Sequence, residues 1–362
     1  MIPSAGDLRL PVFIVTGYLG SGKTTFLRRA LDEAAFTLTL LLVNETAALG
    51  VDDHLLRNDT GAVALLANGC LCCRIDRGVK EELHGVLALH RTRKDFDRVV
   101  LELSGLADPL AVIATITSDP YLNGQLRIAL VVTLVDGVHA LESLDAAEHR
   151  RQIEAADVVL ITKTDMAAPD SLAAVDAHVA RVQPLAPRRP AVETQFGWLV
   201  EQATDLRADR IASSAVAGRW RGESLRPALR PPAGAFACLP AGPETFCLRV
   251  GQPLDWSRLA LWLSLLLHRH GDRILRIKGF LTLKGADAPV LINCVRHIAY
   301  FPEHMEREGD ADLPSFLVFI VDGLPKERIV RSFAACVGEG VAAWETMPRQ
   351  PEDTLKSADP EG

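Results

Sequence analysis

The stretch Pro11-Val12-Phe13-Ile14-Val15-Thr16-Gly17-Tyr18-Leu19-Gly20-Ser21-Gly22-Lys23-Thr24-Thr25 decides the reading of this chain. A short apolar run ends in a glycine-rich turn, and a helical pattern follows from Lys23 to about Glu33. From Gly17 to Thr24 every fixed position of G-x-x-x-x-G-K-[ST] is met, in the strand–turn–helix setting that gives the pattern its meaning. Glycines let the backbone wrap a phosphate without Cβ clashes. Backbone N–H groups and the helix N-terminus then face the anion. Gly17, Gly20, Ser21, Gly22, Lys23, Thr24 and Thr25 are therefore the expected phosphate cradle. Lys23 would reach the β- and γ-phosphates. The Thr24 hydroxyl would ligate Mg²⁺, a hard cation that prefers oxygen.

Further along, Leu38–Val43, Val99–Leu103, Leu130–Val135 and Val158–Thr162 are apolar runs of five or six residues. Runs of this kind fit strands buried on both faces. Helical stretches, such as 78–90 and 145–156, lie between them. The alternation predicts an α/β fold, a mostly parallel doubly wound sheet, over residues 8–205. Residues 206–243 read as a linker, rich in Pro, Gly and Arg from 218 onward. A small α+β domain is expected over 244–340. Its strands are read at Phe246–Val250, Ile274–Leu283, Pro289–Tyr300 and Phe316–Val321. Its helices are read at Trp256–His268 and Pro325–Val337, the latter with Pro at its first turn. Residues 341–362 are expected to form a disordered tail.

Two more segments carry chemistry. Val99-Val100-Leu101-Glu102-Leu103-Ser104-Gly105 puts a carboxylate at the end of a buried strand, where a charge is rarely placed without a task. Glu102 is expected to order the water bound to Mg²⁺ or the attacking water, and the Gly105 N–H to approach the γ-phosphate. Lys23, Thr24 and Glu102 form the expected catalytic set. Val158 to Thr162 runs into Thr162-Lys163-Thr164-Asp165, similar to the N-K-x-D signature of GTPases. The Asp165 carboxylate can accept two hydrogen bonds from guanine, N1–H and the 2-amino group, a donor pair that adenine lacks. Lys163 would lay its stem along the base. Thr162 stands where Asn is usual.

Asn68-Gly69-Cys70-Leu71-Cys72-Cys73 is the second unusual feature. Thiolates suit Zn²⁺ and similar soft or borderline ions. Cys70, Cys72 and Cys73 can supply two or three ligands but cannot close a four-coordinate site alone. Glu45, His54, a partner or water would complete it. Buried apolar cysteines, or a redox switch, are the other readings. Cys238, Cys247, Cys294 and Cys336 are scattered and read as small hydrophobes.

Composition limits the partners. The 362 residues carry a formal net charge of −7, without the basic excess of a nucleic-acid binder. Seven cysteines, an odd number with three inside four residues, do not form a disulfide framework. They point to a reducing compartment. The longest apolar candidate, Leu259–Leu267, is too short to span a bilayer. The first residues lack a basic region before a cleavable apolar stretch. A cytoplasmic protein is expected, with no nucleic-acid or membrane partner.

Together these segments resemble the CobW-type P-loop GTPases. The matching pieces are 16–25, 43–56, 68–73, 102–109, 134–140 and 160–165, with 274–281 and 291–298 similar to the CobW C-terminal domain. The resemblance covers roughly residues 10–340. It implies GTP hydrolysis coupled to binding and delivery of a transition metal, of the zinc or cobalt class, with GTP, Mg²⁺ and that metal bound. Cys70, Cys72, Cys73 and Glu45 would be the transition-metal ligands, and Thr24 the magnesium ligand. A client metalloprotein is the implied partner, with self-association left open. This chain departs from the family pattern after Asn44-Glu45, where Thr46-Ala47-Ala48 replaces an F-G-E-like stretch, and at Val43, where some members carry a carboxylate. Its linker at 218–243 has no histidine. The alternative reading is a GTP-binding regulator or scaffold with structural or redox-active cysteines. A P-loop small-molecule kinase is weaker, because Asp165 points to guanine.

Overall fold

The computed structural model describes residues 7–43, 57–58, 61–65, 78–93, 95–143, 146–204, 243–286, 288–304, 315–338 and 341–346. The first sheet contains β1 (Leu10–Thr16), β2 (Thr39–Val43), β3 (Arg57–Asn58), β4 (Gly61–Leu65), β5 (Arg98–Glu102), β6 (Leu126–Asp136), β7 (Val158–Thr162) and β8 (Arg188–Pro190). Their order is β3-β4-β2-β5-β1-β6-β7-β8. Every neighbouring pair is parallel except β3–β4.

The helices of this domain are α1 (Lys23–Leu31), α2 (Gly78–Arg93), α3 (Pro109–Ser118), α4 (Pro120–Gln125), α5 (Ala147–Ala155), α6 (Pro169–Val182) and α7 (Phe196–Thr204). They cover both faces of the sheet, which is why the strands are apolar throughout. Successive side chains of a strand point to opposite faces. Val12, Ile14, Val99 and Leu101 meet α2 and α3 on one face. Phe13, Val15 and Val100 meet Phe26 and Leu27 of α1 and Phe196 of α7 on the other. The carboxyl ends of β1, β5, β6 and β7 lie side by side, the edge where open α/β sheets bind ligands. Residues leaving those strands are therefore neighbours in space.

The second sheet is antiparallel. It contains β9 (Glu244–Val250), β10 (Ile274–Leu281), β11 (Val290–Val295), β12 (Ile298–Ala299), β13 (Glu303–His304), β14 (Ser315–Val321) and β15 (Val341–Thr346). The order is β12-β11-β10-β14-β9-β15, with β13 on β11. Helices α8 (Trp256–His270) and α9 (Lys326–Val337) close its core. There Trp262 stands edge-on to Phe333, with ring centroids 4.9 Å apart. The nine-residue apolar run lies in α8, which buries Leu259, Trp262, Leu263, Leu266 and Leu267. Among the described residues no helix is long and apolar enough to cross a membrane.

The structure corrects three expectations. Pro289–Tyr300 is not one strand. Arg296 takes φ 50°, and with His297 it turns the chain so that β12 folds back antiparallel on β11. The tail expected from 341 instead begins as β15, which pairs with β9, because an edge strand there satisfies backbone groups that β9 would otherwise expose. Cys336 is exposed rather than packed, while Cys247 and Cys294 are buried as expected. Cys238 and most of the expected linker, 205–242, lie outside the described residues.

The domains share a core as well as a border. Val295, fully buried, belongs to the apolar cluster of the first domain, and Ile298 and Tyr300 pack against it. The β11–β12 hairpin is thus wedged against α3, which its sequence alone did not indicate.

Candidate nucleotide site

The glycine-rich loop leaves β1 and enters α1 at Lys23. Gly17, Gly20 and Gly22 have φ of 148°, 73° and 85°. Gly22 caps α1 in the left-handed region, a conformation that other residues adopt at a cost. The first N–H groups of α1, at Lys23, Thr24 and Thr25, have no acceptor inside the helix and are available to an anion. Lys23 is buried, and its Nζ donates to the carbonyls of Gly17 at 2.6 Å and Tyr18 at 3.2 Å. The ammonium is thereby held over the mouth of the loop.

Glu102 ends β5 in register with Val15 of β1 and is only 5% exposed. The Thr24 hydroxyl donates to Glu102 Oε1 at 3.1 Å. Two residues 78 positions apart in sequence thus meet as an all-oxygen pair beside the cradle. That donor chemistry fits Mg²⁺, which Thr24 would hold directly and Glu102 through water. Gly105 follows closely. A Cβ there would lie 2.8 Å from the Leu19 nitrogen and 2.9 Å from its Cα, so glycine alone lets this loop lie against the phosphate loop.

At the end of β7 the Thr162 hydroxyl donates to the Ser21 carbonyl at 2.9 Å. The threonine that departs from the usual Asn still ties the base loop to the phosphate loop. Lys163 has φ 53° and donates from Nζ to Asp136 Oδ2 at 2.6 Å. Asp136, at the end of β6, also accepts from the N–H groups of Val138 and His139. Burial disfavours its charge, but the Lys163 hydrogen bond and those two N–H groups outweigh this and hold its carboxyl below the usual range. Asp165 is exposed, two residues beyond Lys163, where it can meet a base.

Sequence reading missed Asp136, whose Lys163 contact spans 27 residues, although its strand-end position in Leu134-Val135-Asp136-Gly137 was a usable signal. It also missed Gln152 and His149 of α5. Tyr18 of the phosphate loop stacks on His149, with centroids 5.2 Å apart and planes 10° apart. Cys70, Cys72, Cys73 and Glu45 lie outside the described residues. Among the described residues no cluster of three or more His, Cys, Asp or Glu could hold a metal.

The fold and this edge define a P-loop GTPase with an appended antiparallel-sheet domain. Residues 11–190 match the CobW/HypB/UreG nucleotide-binding domain, and residues 244–337 match the cobalamin synthesis protein cobW C-terminal domain. The chain belongs to the CobW family of P-loop GTPases. It is 29% identical to the zinc chaperone YjiA of Escherichia coli over 90% of this chain and 98% of that protein. It is 30% identical to the zinc chaperone CobW of Pseudomonas aeruginosa over 86% of each. The crystal structure of Zn(II)-bound YjiA GTPase covers 91% of this chain and 99% of its own, with 25% identity and a TM-score of 0.63.

Proposed function

We propose that this GTPase couples GTP hydrolysis to the binding and delivery of a transition metal, of the zinc or cobalt class, to a client metalloprotein. The observation that supports the hydrolytic half is the Thr24–Glu102 contact, which puts two oxygens suited to Mg²⁺ beside the glycine-rich loop. The metal half is supported by two relatives called zinc chaperones and by the Cys70-Leu71-Cys72-Cys73 cluster.

In this reading the N–H groups of the loop and of α1 bind the phosphates, and Lys23 neutralises charge that builds toward the γ-phosphate. Mg²⁺, when bound, supplies charge neutralisation on the β- and γ-oxygens. Glu102 orients water, and the Gly105 N–H meets a γ-oxygen. GTP and water become GDP and phosphate. Thr162 and Lys163 position the base loop, and Asp165 reads guanine. The transition metal is cargo on Cys70, Cys72 and Cys73, with Glu45 as a further ligand. Loss of the γ-phosphate contacts would change its affinity. Linkage then requires the metal to change nucleotide affinity in return. A cytoplasmic location fits this thiolate chemistry.

The test is anaerobic titration of the reduced protein with Co²⁺, read as thiolate-to-cobalt charge-transfer absorption, with and without Mg²⁺-GTP. A band that strengthens with GTP, and disappears in the Cys72→Ser/Cys73→Ser variant, is the expected result. No band in either state would leave a GTP-binding regulator with structural or redox-active cysteines.

A further inference from the structure

Helix α5 touches the phosphate loop and the 103–108 loop through His149 and Gln152, and the second domain through its last residues. Gln152 is fully buried, and its Nε2 donates to the carbonyls of Gly105 and Ala107, each at 3.1 Å. Its own carbonyl accepts from Thr133 Oγ1 of β6 at 2.7 Å, so the residue has little freedom to follow a moving loop. One turn earlier, His149 lies under Tyr18. Burial lowers the pKa of His149, so a neutral ring supports the phosphate loop at pH 7.

The far end of α5 is gripped from outside. Helices leave their last carbonyls without partners. Here Arg276 of β10 fills that need, donating to Ala155 O at 2.9 Å and Ala156 O at 3.4 Å. The same guanidinium pairs with Asp157, which Lys278 also reaches at 3.3 Å. Arg296, at the tip of the β11–β12 hairpin, donates to the buried Glu154 carboxylate at 2.9 and 2.6 Å. Arg276 is 1% exposed and Glu154 is 1% exposed, so these are contacts of an interior. Cations at a helix C-terminus also suit its dipole.

We propose that Gln152 is a positioning residue for GTP hydrolysis, holding the loop at Gly105 through its carbonyls, and that the Arg276–Arg296 grip on α5 makes the second domain part of that setting. The inference rests on the reading of the 103–108 loop as the γ-phosphate side of the site. A peptide unit is planar. Two hydrogen bonds on the carbonyls of Gly105 and Ala107 therefore fix the planes that carry the Leu106 and Asp108 N–H groups, and so hold the loop on the C-terminal side of the Gly105 N–H. Displacement of the second domain, by cargo or client, would turn α5 and with it those carbonyls. Coupling of this kind has a physical carrier: a packed helix, with hydrogen bonds to the loop and to the second domain.

The test compares affinities for a non-hydrolysable GTP analogue and for GDP, with kcat, in the full-length protein. Gln152→Met keeps the length and loses both donors. The analogue should bind about tenfold more weakly and kcat should fall by at least as much, with GDP affinity within about twofold of the parent. Arg296→Met, at a half-buried position where Arg150 still pairs with Glu154, should shift the same ratio about threefold in the same direction, and it carries the test should Q152M fail to fold. Parallel losses for both nucleotides, or no change in the ratio in either variant, would overturn the proposal, because a merely structural role does not distinguish GTP from GDP. Gly105→Ala separates the two layers of the argument. A lost preference for the GTP analogue in G105A, beside unchanged ratios in the other variants, defeats the relay alone. An unchanged preference in G105A defeats the placing of the loop and the relay with it.

Discussion

The Thr162 hydroxyl donates to the carbonyl of Ser21 at 2.9 Å, across 141 residues of sequence. One hydrogen bond thus fastens the loop proposed to read the base to the loop proposed to hold the phosphates. Its role explains how Thr can stand where the GTPase signature has Asn. What the position requires is a donor at the right height above β7. The Cγ2 methyl also lies 3.4 Å from where a Cβ on Gly22 would be, so the contact is packed as well as bonded.

Thr162→Val should keep that packing and leave the Ser21 carbonyl without this donor. A buried acceptor stripped of its partner costs about 1–2 kcal/mol, a factor of about 5–30. The loss should be the same for GTP and GDP, since the tie concerns the whole nucleotide. Thr162→Asn should recover most of the affinity. Titration with a fluorescent guanine nucleotide checks this, and a loss confined to GTP would contradict it.

Asp165→Ala removes the carboxylate proposed to match the two guanine donors. Sites built around such hydrogen bonds discriminate by about four orders of magnitude. GTP affinity should fall at least about a hundredfold while the weak affinity for ATP stays within about threefold. Competition between the two nucleotides measures it. Equal losses for both would place base reading elsewhere.

The parts of the candidate site that could be picked out in sequence are those whose residues are close along the chain. Gly17 to Thr24 and Thr162 to Asp165 are each one turn at a strand end, and their spacing carries the chemistry. Glu102 was legible because a carboxylate closing an apolar run is anomalous. The supports were not legible. Asp136 grips Lys163, Gln152 grips the loop at Gly105, and Arg276 and Arg296 grip α5, each through a contact that only the tertiary fold creates. The apolar run through Pro289–Tyr300 concealed its turn in the same way. Arg296 and His297 have no glycine or asparagine to mark it, and the left-handed Arg296 is held by Glu154 from the other domain.

Arg276→Met should destabilise the protein by about 3–5 kcal/mol, because it leaves the Asp157 carboxylate in an interior without its main counter-charge. The pH dependence follows. Burial acts to raise the Asp157 pKa, but Arg276 and Lys278 outweigh it, so the folded-state value lies below the ordinary 3.8. A depressed carboxyl stabilises the fold above its unfolded pKa. That contribution should disappear as pH falls past 3.8 toward the lower folded value. In R276M desolvation is opposed only by Lys278 and the Val131 N–H, without the guanidinium, so acid destabilisation should begin at higher pH than in the parent. Urea midpoints between pH 7 and pH 3 test both parts. A parallel offset at every pH would show that the pair is not what sets the titration.

Glu102→Gln isolates charge from shape at the magnesium side. The amide can still accept from Thr24 Oγ1 across the 3.1 Å contact, so the loop should keep its form. What it loses is the negative charge proposed to order water and attract a divalent cation. Removal of a positioned acid–base group of this kind typically lowers rate by about 10²–10⁴. We expect kcat for GTP to fall by at least about a hundredfold and the Mg²⁺ concentration for half-maximal rate to rise. GDP affinity without Mg²⁺ should stay within about twofold, because the phosphate cradle is built from backbone N–H groups and Lys23. Thr24→Ala should raise the Mg²⁺ requirement further, since it deletes the proposed direct ligand rather than one proposed to act through water. Should E102Q hydrolyse GTP at the parental rate, the carboxylate would be a structural partner of Thr24, and the residue that orders water would have to come from another strand end.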